Sequence, residues 1–117
     1  MTDLNHVRDR YLQAWNEPDD NARLALLRQG WTPDASYADP MMSGEGHQGL
    51  CDMIGTARIS FPGHTFSPRG DVDGYGQTVR FSWNLAAGAA PVAKGTDVVQ
   101  LDATGRITQV IGFLDPA

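Results

Sequence analysis

Gln77-Thr78-Val79-Arg80-Phe81-Ser82-Trp83-Asn84-Leu85-Ala86-Ala87 decides what kind of fold this chain makes. Val79, Phe81, Trp83 and Leu85 fall on one side of an extended chain, and Arg80, Ser82 and Asn84 on the other, because strand side chains alternate. Such a strand keeps one face on a core and the other toward water. Turn signals bound it, Asp73-Gly74 before and Gly88 to Pro91 after. Similar segments flank it: Thr65 to Val72, Val92 to Asp102 and, past a Thr104-Gly105 turn, Ile107 to Leu114. Strands joined by short turns pair antiparallel. Alternation groups Ile107, Gln109, Ile111 and Phe113 on one face of the last strand, and Asp97 with Val99 and Leu101 on one face of the strand before it. An aspartate in register with large apolar residues either lies at an exposed strand end or is buried and needs an explanation.

The half before this meander reads differently. Leu4, Val7, Tyr11, Ala14 and Trp15 recur at three- and four-residue steps, which is the face of a helix. Thr2 or Asp3 is placed to cap it, and Pro18 ends it. Asp19, Asp20 and Asn21 cap a second helix running to about Gln29, with Leu24, Ala25, Leu26 and Leu27 as its buried side and Gly30 as its stop. Trp31 to Asp39 is a short extended segment and Pro40 to Gly49 a loop. A third helix follows from Leu50 to about Ile59, closed by Phe61-Pro62-Gly63. Helices first and a meander last is an α+β layout, a curved sheet with helices on one face. The whole chain, 1–117, reads as one domain, without repeat or linker.

Composition excludes several functions. A net charge of −5 and scattered basic residues leave nothing to neutralise phosphates, so no nucleic-acid partner is expected. No apolar run is long enough to span a bilayer. Met1 to His6 lacks the pattern of a signal peptide, and Cys51 is the sole cysteine, so a soluble, cytoplasmic protein is expected. His6, His47 and His64 have no metal-ligand spacing, so no metal is expected. Gly44-Glu45-Gly46-His47-Gln48-Gly49 spells a dinucleotide fingerprint, but the parallel β-α-β unit it needs is missing. No cofactor is expected.

Tyr37-Ala38-Asp39-Pro40 closes the short strand where the chain turns. A carboxylate there, aimed into an apolar pocket, is suited to general base work; the alternative is that Asp39 caps the backbone amides of its own turn. Tyr11 is either a pocket hydroxyl or a core tyrosine, and Asp97 either a pocket acid or a strand-end carboxylate.

Arg10-Tyr11-Leu12-Gln13-Ala14-Trp15-Asn16, Ala38-Asp39-Pro40, Gly95-Thr96-Asp97-Val98-Val99 and Gly105-Arg106-Ile107, in this order, resemble the nuclear-transport-factor-2-like, or SnoaL-like, superfamily. The resemblance covers nearly the whole chain and implies a cone-shaped α+β fold enclosing a pocket. Ketosteroid isomerase, a member of that superfamily, supplies a template of an aspartate base with a tyrosine and a protonated aspartate as donors to the enolate oxygen. Carried over by motif, Asp39 resembles the base, Tyr11 the tyrosine donor and Asp97 the protonated donor. Cofactor-free proton transfer on a hydrophobic carbonyl compound, of isomerase, cyclase or dehydratase type, is implied. Non-catalytic binding of a small hydrophobic molecule and a dimerisation domain are the alternatives within the same fold, and a homodimer is expected as partner, the polar face of Arg80, Ser82 and Asn84 suiting a wet interface. Trp15, His64, Phe81, Trp83 and Phe113 are expected to line the pocket. Epoxide hydrolysis would need an interior arginine, and none can be placed there.

Overall fold

The structure, a computed structural model, describes residues 3–116. Its elements run α1 (Leu4–Asn16), α2 (Asp20–Gly30), β1 (Trp31–Ala38), β2 (Ser43–Glu45), α3 (Gly46–Ser60), β3 (Thr65–Tyr75), β4 (Thr78–Ala86), β5 (Ala93–Leu101) and β6 (Ile107–Leu114). All six strands form one sheet in the order β2-β1-β6-β5-β4-β3. Every pairing is antiparallel except β1 with β6. No helix is long and apolar enough to cross a membrane, among the described residues.

The helices begin where their caps put them. Asp3 accepts the amides of Asn5 and His6 at the start of α1, and Asp19 accepts that of Ala22 at the start of α2; Thr2, the other candidate cap, lies outside the described residues. α1 buries Val7, Tyr11, Leu12, Ala14 and Trp15 against the sheet. Its last residue, Asn16, clips it to β3: the amide donates to Phe66 O at 2.9 Å and its Oδ1 accepts the Phe66 N–H at 2.8 Å. Arg23 joins the helices. It is 1% exposed and donates to the Glu17 and Cys51 carbonyls and to Asp20 Oδ1. An interior arginine therefore exists, contrary to expectation, but it is tied to backbone between α2 and α3. Cys51 lies beside it, buried, with Sγ donating to Asp20 O.

Two boundaries and the facing of one strand differ from the sequence reading, and of Leu24, Ala25, Leu26 and Leu27 only Leu27 is fully buried. α3 begins at Gly46, not Leu50, and the loop before it holds the short strand β2; Gly46 takes φ +75 at this junction, a conformation glycine adopts without a Cβ penalty. The β3–β4 turn lies at Gly76-Gln77 rather than Asp73-Gly74. Gly76 has φ +59 there, while Gly74 stays in the ladder opposite Val79, where a Cβ would stand 2.7 Å from Thr78 O.

The third difference concerns β6. Ile107 is buried as expected, but the next inward residues are Val110 and Gly112, and Ile111 and Phe113 face out at 39% and 54% exposure. The register explains the change of face. Leu101 pairs with Ile107 while Gln100 pairs with Gln109, so Thr108 is an extra residue that inverts the alternation after it. β4 and β5 keep the expected faces, with Val79, Phe81, Trp83 and Leu85 inward on one and Asp97, Val99 and Leu101 inward on the other.

Candidate active site

The helices cover one side of the curved sheet but do not fill the space at one end, and a cavity of about 720 Å³ remains, within the range of small-molecule pockets. α1 contributes Tyr11, Leu12 and Trp15 to its wall, α3 Met53, Thr56 and Ala57, and the sheet Trp83, Leu85, Asp97 and Leu114. Tyr37 and Asp39, at the end of β1, complete it. Most of the wall is apolar.

Asp97 is not a strand-end carboxylate. It sits in mid-β5 and is 2% exposed. The Tyr11 hydroxyl donates to its Oδ2 at 2.7 Å and the Trp83 indole N–H to the same oxygen at 3.2 Å. Gly95 leaves room for Trp83: the two residues pair across β4 and β5, and the indole lies so close to the glycine that a Cβ would stand 2.2 Å from Cζ2. Asp97 Oδ1 is buried and has no hydrogen-bond partner among the described residues. It lies over Gly112, where a Cβ would be 2.9 Å from Asp97 Oδ1 and 3.1 Å from both Tyr37 Oη and Asp39 Cβ. An inward glycine on β6 thus lets the two aspartates approach.

Burial raises the Asp97 pKa to about 6; the bonds from Tyr11 and Trp83 pull against that shift, and the charges of Asp39 and Asp115 add to it. Burial likewise raises the Tyr11 phenol well above its ordinary value, helped by the charge of Asp97. Tyr37 is raised by burial, by Asp97 and by its bond to Asp39. Both tyrosines therefore stay protonated donors.

Asp39 is half-buried at the cavity edge. Its Oδ1 accepts the Met41 and Met42 amides at 2.7 and 2.9 Å, and its Oδ2 accepts the Tyr37 hydroxyl at 2.5 Å. The turn-capping and pocket readings are both realised in one side chain. Tyr37 is one of the aromatic residues that the sequence offers as cavity lining, but its bond to Asp39 is not legible there; as the position two before Asp39, it shares that face of the strand by simple alternation.

Tyr11, Asp39, Asp97, Trp15 and Trp83 thus meet in one cavity, and three expected lining residues do not. Phe113 faces out because of the Thr108 bulge. Phe81 is buried but outside the lining, its ring 5.1 Å from that of Tyr11. His64 lies past the Gly63 turn outside the lining, its Nδ1 3.0 Å from Pro62 O. No cluster of metal-binding side chains occurs among the described residues.

No protein-family model and no curated protein matches the sequence. Solved structures do. A protein from Agrobacterium tumefaciens described as a candidate isomerase of the SnoaL-like family is 47% identical, with TM-score 0.94 over 99% of this chain and 100% of that one. A SnoaL-like protein of unknown function from Burkholderia thailandensis superposes with TM-score 0.76 at 13% identity, over 99% of each chain. A candidate polyketide cyclase from Sinorhizobium meliloti gives TM-score 0.70 at 16% identity, over 92% of this chain and 93% of that one. The last two likenesses concern the fold alone.

Proposed function

The chain belongs to the SnoaL-like family, and on that premise we propose that it is a cofactor-free enzyme of isomerase or cyclase type, moving a proton on a hydrophobic carbonyl compound with Asp39 as base. The observation that carries this reading is the meeting of two carboxyl groups in opposite settings within one apolar cavity. Asp39 stands at the open edge, and its Oδ2 keeps an acceptor site beside the bond from Tyr37. Asp97 is buried. Because Tyr11 and Trp83 both donate to Oδ2, a proton on Asp97 belongs on Oδ1, the oxygen with no donor.

The chemistry then has assigned parts. Asp39 takes the proton from the carbon beside the carbonyl, and the C–H electron pair moves into the enolate. The Asp97 acid O–H donates a hydrogen bond to the enolate oxygen where charge develops, and Asp39 returns its proton to another carbon. Tyr11 acts through Asp97, since its hydroxyl is already committed there. Tyr37 and the two amides hold the Asp39 carboxylate in one orientation.

Solvent-deuterium exchange beside the carbonyl of a panel of cyclic enones, followed by NMR, tests this. Asp39→Asn is expected to slow exchange by about a hundredfold or more while the melting temperature holds. Equal exchange in the wild type and the variant would remove Asp39 from the mechanism. A second reading, a non-catalytic binder of hydrophobic ligands, is favoured by the three donors already on Asp39. It requires saturable binding by the wild type with no exchange above the solvent rate.

A further inference from the structure

Asp39 holds its two oxygens in unequal settings, and the difference decides where a proton can go. Oδ1 accepts two backbone amides, from Met41 at 2.7 Å and Met42 at 2.9 Å. A carboxylate oxygen offers about two acceptor positions, so Oδ1 is full. Its donors belong to the backbone of the turn and cannot rotate away. Oδ2 accepts only the Tyr37 hydroxyl, at 2.5 Å, among the described residues. A proton that enters Asp39 therefore settles on Oδ2.

That proton changes what Tyr37 faces. The bond from its hydroxyl loses the charge that strengthened it, and charge-assisted bonds are about twice as strong as neutral ones. The protonated Oδ2 is itself a donor, with the Tyr37 oxygen 2.5 Å away as its acceptor. A hydroxyl can accept one bond and donate another, so Tyr37 receives from Asp39 and turns its own hydrogen elsewhere. Gly112 shows where. A Cβ on that glycine would stand 3.1 Å from Tyr37 Oη, 3.1 Å from Asp39 Cβ and 2.9 Å from Asp97 Oδ1. Tyr37 Oη and Asp97 Oδ1 are thus no more than about 6 Å apart, a gap that two hydrogen bonds meeting on one ligand oxygen can span. Burial and the neighbouring carboxyl groups keep the phenol protonated throughout.

We propose, on the reading of Asp39 as base, that Tyr37 is a catalytic residue whose hydrogen bond follows the charge: it donates to Asp39 Oδ2 before proton transfer and to the substrate oxyanion after it. The proton on Oδ2 is the one that the substrate carbon gives up and takes back. The C–H electron pair lies in the enolate meanwhile, and Tyr37 keeps its own proton. Because the bond to substrate forms only once the charge is there, it stabilises the intermediate and not the bound ketone.

Asp39→Asn reproduces the proton-loaded state. The Met41 and Met42 amides require an acceptor, so the carboxamide oxygen takes the place of Oδ1 and its NH2 faces Tyr37 as the protonated Oδ2 would. The probe is 2,6-difluoro-4-nitrophenol, ionised at about pH 5.5, below the Asp97 pKa of about 6; its oxyanion stands in for the enolate. Isothermal calorimetry compares the wild type, Asp39→Asn, Tyr37→Phe and the double variant. With Asp39→Asn in place, Tyr37→Phe is expected to weaken phenolate binding about tenfold or more, but only about twofold in the wild type, where the hydroxyl is committed to Asp39. The uncharged ketone 2-acetylnaphthalene should lose about threefold or less. The phenolate absorption band, which moves to shorter wavelength as donors reach its oxygen, should move further in Asp39→Asn than in the double variant. A hydroxyl that serves only to orient Asp39 would move neither readout. Equal affinities of Asp39→Asn and the double variant, the same loss in both backgrounds, or no phenolate binding by Asp39→Asn would each overturn the proposal. Failure of the catalytic reading looks different: the loss seen with Asp39→Asn would persist while deuterium exchange by the wild type stayed at the solvent rate.

Discussion

Asp97 is the residue whose burial ties stability to pH in the acid range. An unfolded chain holds this proton only below about 4, whereas the folded chain holds it up to about 6 because burial disfavours the charge. Between these values the native state binds more protons than the unfolded state, so stability falls as pH rises. The contribution is complete below about 4 and lost above about 6, and it amounts to on the order of 3 kcal/mol. Asp97→Asn keeps an acceptor for the Tyr11 hydroxyl and removes the titration. Melting temperatures measured from pH 4 to 8 should therefore fall more steeply for the wild type than for the variant, by several degrees across the interval. Parallel curves would mean that Asp97 titrates in the folded protein much as it does in the unfolded one. The sequence disclosed the oddity, an acid in register with Val99 and Leu101, but not its partners. Tyr11 is 86 residues away in the chain, and only the docking of α1 on the sheet brings its hydroxyl to that oxygen.

At the scale of elements, what was legible followed from unbroken periodicity. β4 and β5 keep strict alternation, so their inward faces could be read directly, and with them Trp83 and Asp97. β6 could not be read that way. One extra residue, Thr108, inverts the face of everything after it, and bulges leave little trace in apolar patterning, so alternation alone puts Phe113 inside when it is out. The glycines were similarly opaque. Gly95 and Gly112 look like weak points in strands, yet each is a bed for a side chain of the site. Gly95 makes this testable. A Cβ there would stand 2.2 Å from Trp83 Cζ2 and 2.8 Å from Phe113 O, so the indole must leave its place over β5. Gly95→Ala is expected to cost about 1–3 kcal/mol in urea denaturation, the usual range for overpacking, and to shift tryptophan emission as the bond to Asp97 is lost. Gly88→Ala is the control, since nothing lies within 4 Å of its Cβ position. Equal stability of the two variants would contradict the packing of Trp83 on Gly95.

For the whole molecule, the order of elements was legible because helices and meander occupy separate parts of the chain, and each period is long enough to read. The cavity was not, since it is a property of how far the helices stand off the sheet. Its existence implies an unresolved tension between stability and function: α3 presents Met53, Thr56 and Ala57 to open space where a close-packed domain would present them to other side chains. Ala57 is the informative position, 9% exposed and on the cavity wall. Ala57→Leu adds apolar volume on a helix, where leucine is nearly as favourable as alanine. If the space is open, the new side chain fills it, and cavity-filling substitutions commonly stabilise by about 0.5–2 kcal/mol. The same substitution takes volume from the ligand. The melting temperature of Ala57→Leu should therefore rise by a few degrees while its affinity for 2-acetylnaphthalene falls. A lowered melting temperature would show that the wall at Ala57 is already close-packed, and unchanged affinity would place the ligand elsewhere. A rise in stability coupled to a loss of binding is the signature of a fold that leaves part of its core to be completed by a ligand.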